Sequence, residues 1–193
     1  MITSSVILAS NKTQLQAIIG LSGIKDVGKT TTLRELAIRL LCFGKSQQQQ
    51  NAINSFFANH LTQYRNYKDV RIIIEYCGAY IYIATGGDED SIISDNIAFF
   101  EGKAFLGSKP ILIFEYSASQ NQVVPVANPN YINSYPPHIC LSACRTQPST
   151  MQPLDDFAQS ISSIDKCLYY RFFDKNAINA TVDSLVKLID KLY

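Results

Sequence analysis

The chain has 193 residues, of which 47% are hydrophobic and 17% are charged, and this balance excludes a polar, intrinsically disordered chain. Its length suits one domain with a substantial core. A formal net charge of +1 supplies no strong field that would attract nucleic acid or an anionic membrane surface, so neither is indicated as a partner.

The cellular location follows from what the sequence lacks. No apolar stretch reaches the roughly 18 to 20 residues that cross a bilayer. Residues 1–13 have neither the basic head nor the long hydrophobic stretch of a secretory signal, and we treat them as an extension of a single domain that spans 1–193. Five scattered cysteines suit free thiols in a reducing compartment. We therefore expect a cytoplasmic protein.

The first predicted element is a buried strand at residues 17–21, which runs into Gly23. From Thr30 onward the apolar residues recur every three or four positions, as on a helix that packs against a sheet. Gly44 would end this helix, and we interpret the polar tract 46–51 as a mobile loop. The helical stripe consists of Leu33, Leu36, Ala37, Leu40 and Leu41.

A β-hairpin is predicted in the middle of the chain. Residues 71–76 and 79–85 are both rich in isoleucine and tyrosine, and only Cys77-Gly78 separates them. Thr85-Gly86-Gly87-Asp88 then ends the second strand. The apolar stripe over residues 92–100 predicts a helix of about three turns.

Three further apolar runs have the length of strands: residues 110–116, 139–143 and 168–173. Between the first two, residues 117–137 are rich in Asn, Pro, Ser and Gln and are predicted to form a long loop or lid. Residues 176–193 are predicted to close the chain as an amphipathic helix. The alternation of strands and helices predicts an α/β fold, a three-layer sandwich with a mostly parallel sheet and the hairpin as its antiparallel edge.

The chemistry is predicted to lie in residues 23–30, GIKDVGKT, which match G-x-x-x-x-G-K-[ST] at every position. Glycines allow a backbone in which successive amide hydrogens point inward and hold phosphate oxygens. Lys29 is expected to bridge the β- and γ-phosphates, and the hydroxyl of Thr30 is expected to bind magnesium. The expected nucleotide-binding residues are Gly23, Ile24, Lys25, Asp26, Val27, Gly28, Lys29, Thr30 and Thr31.

On this motif the chain resembles the P-loop NTPase superfamily, specifically over residues 17–41 and elsewhere by the order of its strands and helices. The resemblance implies the P-loop NTPase fold, a bound nucleoside triphosphate and Mg²⁺. It also implies an acidic residue at a strand end, which holds magnesium or activates the nucleophile.

Three acids are candidates for that role. Asp88 follows the second hairpin strand and is expected both to hold magnesium and to act in catalysis. Glu115 ends the run ILIFE, which is similar to a hydrophobic strand followed by an acid, and is the second candidate. Glu75 lies inside the hairpin and is expected to be a solvated cross-strand residue. Arg145, just after the strand at 139–143, is expected to contact the γ-phosphate.

Several activities are compatible with this site. We favour an ATPase whose hydrolysis changes its own conformation or its binding of a protein partner. A nucleotide or small-molecule kinase is the alternative, although an arginine-rich lid is not evident. Arg145 and Arg171 are the only arginines in the last third, whereas binding an acceptor phosphate normally takes several arginines or lysines. A GTPase-like switch is less expected, because Ala84 replaces the magnesium-linked aspartate and no N-K-x-D sequence is present to bind guanine. A nucleotide-binding protein with little turnover also stays open, as does the oligomeric state.

Overall fold

The computed structural model describes residues 15–63, 69–103, 111–117, 122–126, 131–146, 148–161, 167–171 and 175–192, and it has an α/β fold. The predicted N-terminal extension, 1–13, lies outside these residues. Within them, none of the helices combines the length and apolar composition needed to cross a membrane. The strands are β1 (Ala17–Gly23), β2 (Arg71–Tyr76), β3 (Ala79–Ala84), β4 (Ile111–Ser117), β5 (Gln122–Val126), β6 (Ile139–Arg145) and β7 (Cys167–Arg171).

The seven strands form one mixed sheet in the order β5-β4-β2-β3-β6-β1-β7. Strands β7, β1, β6 and β3 run parallel to one another. The hairpin reverses the chain direction, so β2 is antiparallel to β3. Strand β4 then runs parallel to β2. At the far edge, β5 is antiparallel to β4.

The hairpin forms as predicted, but its predicted place at the sheet edge is wrong. It lies inside the sheet, between β6 and β4. Cys77 and Gly78 both have positive φ angles, 51° and 86°, which is the backbone of a tight two-residue hairpin turn. Burial explains the interior position, because nearly every residue of β2 and β3 is buried and such strands need cover on both faces.

Helices cover both faces of the sheet. One hydrophobic cluster joins β1, β2, β3 and β6 to α1, α2 and α6, and a second cluster on the opposite face involves α3, α4 and α5. A short 3-10 turn, Lys175–Ala177, precedes the last helix. The helices are α1 (Lys29–Cys42), α2 (Gln47–Gln63), α3 (Asp90–Phe100), α4 (Tyr131–Ser134), α5 (Pro148–Ile161) and α6 (Ile178–Leu192).

Helix α1 confirms the predicted stripe, since all five of its apolar residues are buried against the sheet. The prediction of a mobile loop at 46–51 is wrong, because α2 begins there. The Ser46 amide donates to Oε1 of Gln49 at 2.9 Å, and the Gln49 amide donates to Oγ of Ser46 at 3.4 Å. This reciprocal pair caps the helix, and Ile53, Phe56 and Phe57 fix it to the core.

The segment 117–137 is not a simple loop. Its described part contains β5 and α4, so the prediction of a long loop is wrong for these two elements. Tyr131 anchors α4: its ring is buried, and its hydroxyl donates to the Phe99 carbonyl at 3.1 Å. Helix α5, for which no prediction was made, packs on the same face of the sheet.

Candidate functional site

The direction of the strands brings four chain segments together at one end of the strands. Strands β1, β3 and β6 are parallel, so their carboxyl ends lie side by side there. Because β2 is antiparallel to β3, the beginning of β2 lies at the same end. In α/β sheets ligands bind outside the carboxyl ends of the strands, and the predicted phosphate-binding loop lies here.

The loop between β1 and α1 is tightly curved. Asp26 and Gly28 both have left-handed backbones, with φ angles of 61° and 98°. Ile24, Lys25 and Asp26 are exposed at its tip, where Ile24 keeps 60% of its surface accessible. Val27 is buried in the core beneath the loop and fixes it to the protein.

Lys29 is buried beneath this loop. Its Nζ donates to the carbonyl oxygens of Gly23 at 2.9 Å and of Ile24 at 2.7 Å. Burial lowers the pKa of Lys29, while the nearby carboxylate of Asp88 acts in the opposite direction. The ammonium group is therefore held inside the curve of the loop, with an acid nearby.

Two threonines in the first turn of α1 connect the loop to its surroundings. The hydroxyl of Thr30 donates to the carbonyl oxygen of Thr85 at 2.9 Å, across from α1 to the end of β3. The Thr32 hydroxyl and the Thr32 amide both donate to the Gly28 carbonyl, at 2.9 and 2.8 Å. The helix start is thus fixed both to the loop and to the neighbouring strand.

An open pocket of about 520 Å³ lies over these groups. Ligand pockets commonly measure roughly 300 to 1,000 Å³, so this volume suits a small molecule. Six of the nine predicted nucleotide-binding residues line it, whereas Gly23, Ile24 and Val27 do not. Arg145, predicted to contact the γ-phosphate, does not line it either. The lining residues are Lys25, Asp26, Gly28, Lys29, Thr30, Thr31, Arg34, Asp69, Thr85, Gly86, Gly87, Asp88, Ala143 and Ile178.

The wall opposite the loop is the turn Thr85-Gly86-Gly87-Asp88, and it is held from two sides. The Arg145 amide donates to the Gly87 carbonyl at 2.9 Å. Behind the turn, the buried Asn96 donates from Nδ2 to the Gly86 carbonyl at 2.8 Å and to the Ser142 hydroxyl at 3.0 Å. The turn therefore presents the exposed Asp88 to the pocket from a fixed backbone.

A buried arginine supports Asn96 in turn. Nε of Arg71 donates to Oδ1 of Asn96 at 3.1 Å, and the Arg71 side chain is only 1% exposed. Burial lowers the pKa of Arg71 to about 10, with the carboxylate of Asp95 opposing this effect. The predictions did not include this support, because no local pattern connects β2 to α3.

Arg145 lies beside the pocket. In the register of the sheet its backbone is opposite Gly23, the first residue of the loop. Its positive charge is close enough to contribute to the lowered pKa of Lys29, after burial as the main cause. The contact of Arg145 with a phosphate stays a prediction.

Glu115 is separated from the pocket by the direction of β4. Because β4 runs opposite to β1, the carboxyl end of β4 lies at the end of the sheet away from the pocket. Three strands also lie between β4 and β1, which separates them by roughly 19 Å at the usual strand spacing. The side chain of Glu115 lies outside the described residues, but its backbone position contradicts its role as the site acid. The ILIFE run does not reveal strand direction, and that is why the residue was misplaced.

Two charged residues of the pocket were missed by the predictions. Arg34 lies on α1, one turn beyond Thr30, and Asp69 lies just before β2. The two attract each other electrostatically: burial lowers the pKa of Arg34, and Asp69 opposes that effect. The hairpin was the signal that could have found Asp69, because the start of one hairpin strand lies beside the end of the other.

The described residues contain no group of three or more His, Cys, Asp or Glu side chains that could hold a metal ion alone. A magnesium ion that arrives with a nucleotide needs less, since phosphate oxygens and waters fill most of its positions. The residues that line the pocket supply hydroxyls, on Thr30, Thr31 and Thr85, and carboxylates, on Asp26, Asp69 and Asp88. This set of oxygen donors fits such an ion.

Comparison of the chain with models of protein families, with curated protein sequences and with solved structures finds no match.

Proposed function

We propose that this protein binds ATP with Mg²⁺ through the loop at residues 23–30 and hydrolyses it, in the manner of a P-loop NTPase. The observation that carries the proposal is the buried ammonium group of Lys29, held by the carbonyl oxygens of Gly23 and Ile24 under an open pocket. A desolvated cation on a curved, glycine-containing loop at a helix start suits a polyphosphate.

The other residues have distinct parts in this proposal. The backbone amides of the loop and Lys29 bind the phosphates, and Thr30 exchanges its hydrogen bond to Thr85 for a place beside the cation. Magnesium, when bound, neutralises phosphate charge. Asp88 orients the water whose oxygen attacks the γ-phosphorus as the bond to the β–γ bridging oxygen breaks. Arg145 stabilises the charge that develops.

Adenine is the favoured base, because the chain lacks the N-K-x-D sequence that would accept the hydrogens of guanine. Hydrolysis is favoured over transfer to an acceptor because the described pocket holds few cations beyond Lys29, namely Lys25 and Arg34. The energy of hydrolysis would drive a conformational change or the binding of a protein partner.

The test is incubation of the purified chain with labelled ATP and Mg²⁺, alone and with nucleotide or small-molecule acceptors. We expect free phosphate without any acceptor. Labelled phosphate on an acceptor would indicate a kinase instead of an ATPase. Tight ATP binding without release of phosphate would indicate a nucleotide-binding switch. An excess of unlabelled GTP in the same reaction should compete poorly.

The Asp88→Asn variant tests the role of the acid. We expect turnover to fall by about 100-fold while ATP affinity changes less than about threefold, since a water-orienting group acts mainly in the transition state. Asp90→Asn, an exposed acid two residues further on and outside the pocket, is the matched control. Equal turnover in Asp88→Asn and the parent would contradict the assignment.

A further inference from the structure

Besides Asp88 and the loop residue Asp26, the pocket is lined by a further acid, Asp69, which lies just before β2. The residue is positioned by the antiparallel pairing of β2 and β3. The Val70 amide donates to Oγ1 of Thr85 at 2.8 Å, and the Thr85 amide donates to the Val70 carbonyl at 3.0 Å. The backbone of Val70 thereby holds the adjacent Asp69 beside Thr85 and Gly86.

The side chain of Asp69 occupies the space over Gly86. A Cβ atom at residue 86 would lie 2.9 Å from both Cγ and Oδ2 of Asp69, closer than real Cβ contacts allow. The glycine therefore leaves room for the carboxylate. The preceding residue, Thr85, offers the carbonyl that accepts the Thr30 hydrogen bond, so Asp69 and Thr30 lie beside adjacent residues of the same short turn.

Asp88 and Asp69 have different charged neighbours. Asp88 raises the pKa of Lys29, against the larger lowering effect of burial, so Asp88 lies near the ammonium group. Asp69 acts instead on the guanidinium groups of Arg34 and Arg71. Arg34 is one helical turn from Thr30 on α1. Asp88 therefore lies towards Lys29, whereas Asp69 lies towards Arg34.

We propose that Asp69 supplies the carboxylate that helps to hold the divalent cation of a cation–nucleotide complex, while Asp88 acts on the reacting water. Mg²⁺ in nucleotide sites commonly uses one or two carboxylates in addition to phosphate oxygens and waters. Here the acid comes from just before an antiparallel strand and lies beside Gly86, while the adjacent Thr85 carbonyl accepts the hydrogen bond of the Thr30 hydroxyl that is expected to bind the ion. This inference rests on the proposed nucleotide site and assigns the cation to a residue that the sequence motif does not include.

The test measures cation binding without turnover. Mn²⁺, a paramagnetic substitute for Mg²⁺, is titrated by electron paramagnetic resonance into the chain bound to a non-hydrolysable ATP analogue, and analogue affinity is measured separately in EDTA. We expect Asp69→Asn to weaken Mn²⁺ affinity by about tenfold or more, as loss of a carboxylate near a metal commonly does. Analogue affinity in EDTA should stay within about twofold, because the cation is absent. Asp88→Asn should weaken Mn²⁺ affinity by a smaller factor than Asp69→Asn.

Two further variants complete the test. Gly86→Ala keeps the Asp69 carboxylate but displaces it, so this variant should also weaken Mn²⁺ binding. It replaces Asp69→Asn in the test if Asp69→Asn does not fold. Glu89→Gln, an exposed acid outside the pocket with no capping hydrogen bond, should bind Mn²⁺ like the parent.

Unchanged Mn²⁺ affinity in a folded Asp69→Asn variant would overturn the inference, and so would unchanged affinity in Gly86→Ala if Asp69→Asn does not fold. Neither result would contradict the proposed nucleotide binding. A parent chain that binds no ATP analogue at all would overturn the proposed function and this inference together.

Discussion

Gly87 lies against the carbonyl oxygen of Ala143, so closely that a Cβ atom at residue 87 would overlap that oxygen. Ala143 belongs to β6, next to the strand that leads into the turn. The contact lets the turn at residues 85–88 pass over the end of β6, where it forms one wall of the pocket. A glycine is required here by close approach and not by a positive φ angle.

Gly87→Ala should therefore lower the free energy of unfolding by about 2 to 3 kcal/mol, as overpacking of a tight contact does. It should also weaken ATP binding, because the turn must move away from β6. Denaturant unfolding measures the first effect and calorimetry the second. Gly44→Ala is the control: residue 44 has open space but a φ of 67°, so this variant should lose only about 1 kcal/mol from backbone strain and keep its ATP affinity. Equal stability of Gly87→Ala and the parent would contradict the geometry.

Asn96 connects the buried Arg71 to the turn, and removing its amide should affect both. Asn96→Leu leaves the Gly86 carbonyl and the Ser142 hydroxyl without this donor and takes an acceptor from the guanidinium group. We expect a loss of about 2 to 4 kcal/mol in the free energy of unfolding. Ser94→Ala, at an exposed position of the same helix, should change stability by less than about 0.5 kcal/mol. If both variants unfold at the same denaturant concentration, the network does not stabilise the fold.

His138 should make stability depend on pH. The Tyr80 amide donates to Nδ1 of His138 at 3.0 Å, a bond that requires the unprotonated nitrogen. Burial lowers the pKa of His138 below its usual 6.5. The unfolded chain therefore takes up the proton first as the pH falls, so the stability contribution is complete above about pH 6.5 and declines below it.

The comparison is between the parent and His138→Asn, whose amide oxygen can accept the same bond without titrating. Unfolding midpoints between pH 7.5 and 5.5 should fall more steeply for the parent. Identical slopes in the two proteins would show that His138 is not responsible.

How far the sequence could predict the fold differs from element to element. Strand β1, helix α1 and the hairpin were predictable, because their burial follows a local period that the residues display. Helix α2 was missed because its glutamines were interpreted as a low-complexity tract, although Ser46 and Gln49 have the spacing of a capping box.

The site was predictable only where it is continuous in the chain. The loop at 23–30 could be found from its own residues, whereas Asp69 joins it through the pairing of two strands. Glu115 ends an apolar run of the sequence and Asp88 comes shortly after one, and a run of hydrophobic residues has the same composition whichever way its strand points. Only the strand order and directions distinguish the two acids.

The central claim is that the loop at residues 23–30 binds a nucleoside triphosphate through Lys29. Isothermal calorimetry with ATP and Mg²⁺ tests it most directly on three proteins: the parent, Lys29→Ala, and Lys45→Ala as a control at an exposed lysine beyond α1. We predict binding by the parent and by Lys45→Ala, with affinity reduced by roughly 10- to 100-fold in a folded Lys29→Ala, the loss of a charged hydrogen-bond donor. Equal affinity in Lys29→Ala, or no heat of binding in the parent, would contradict the claim.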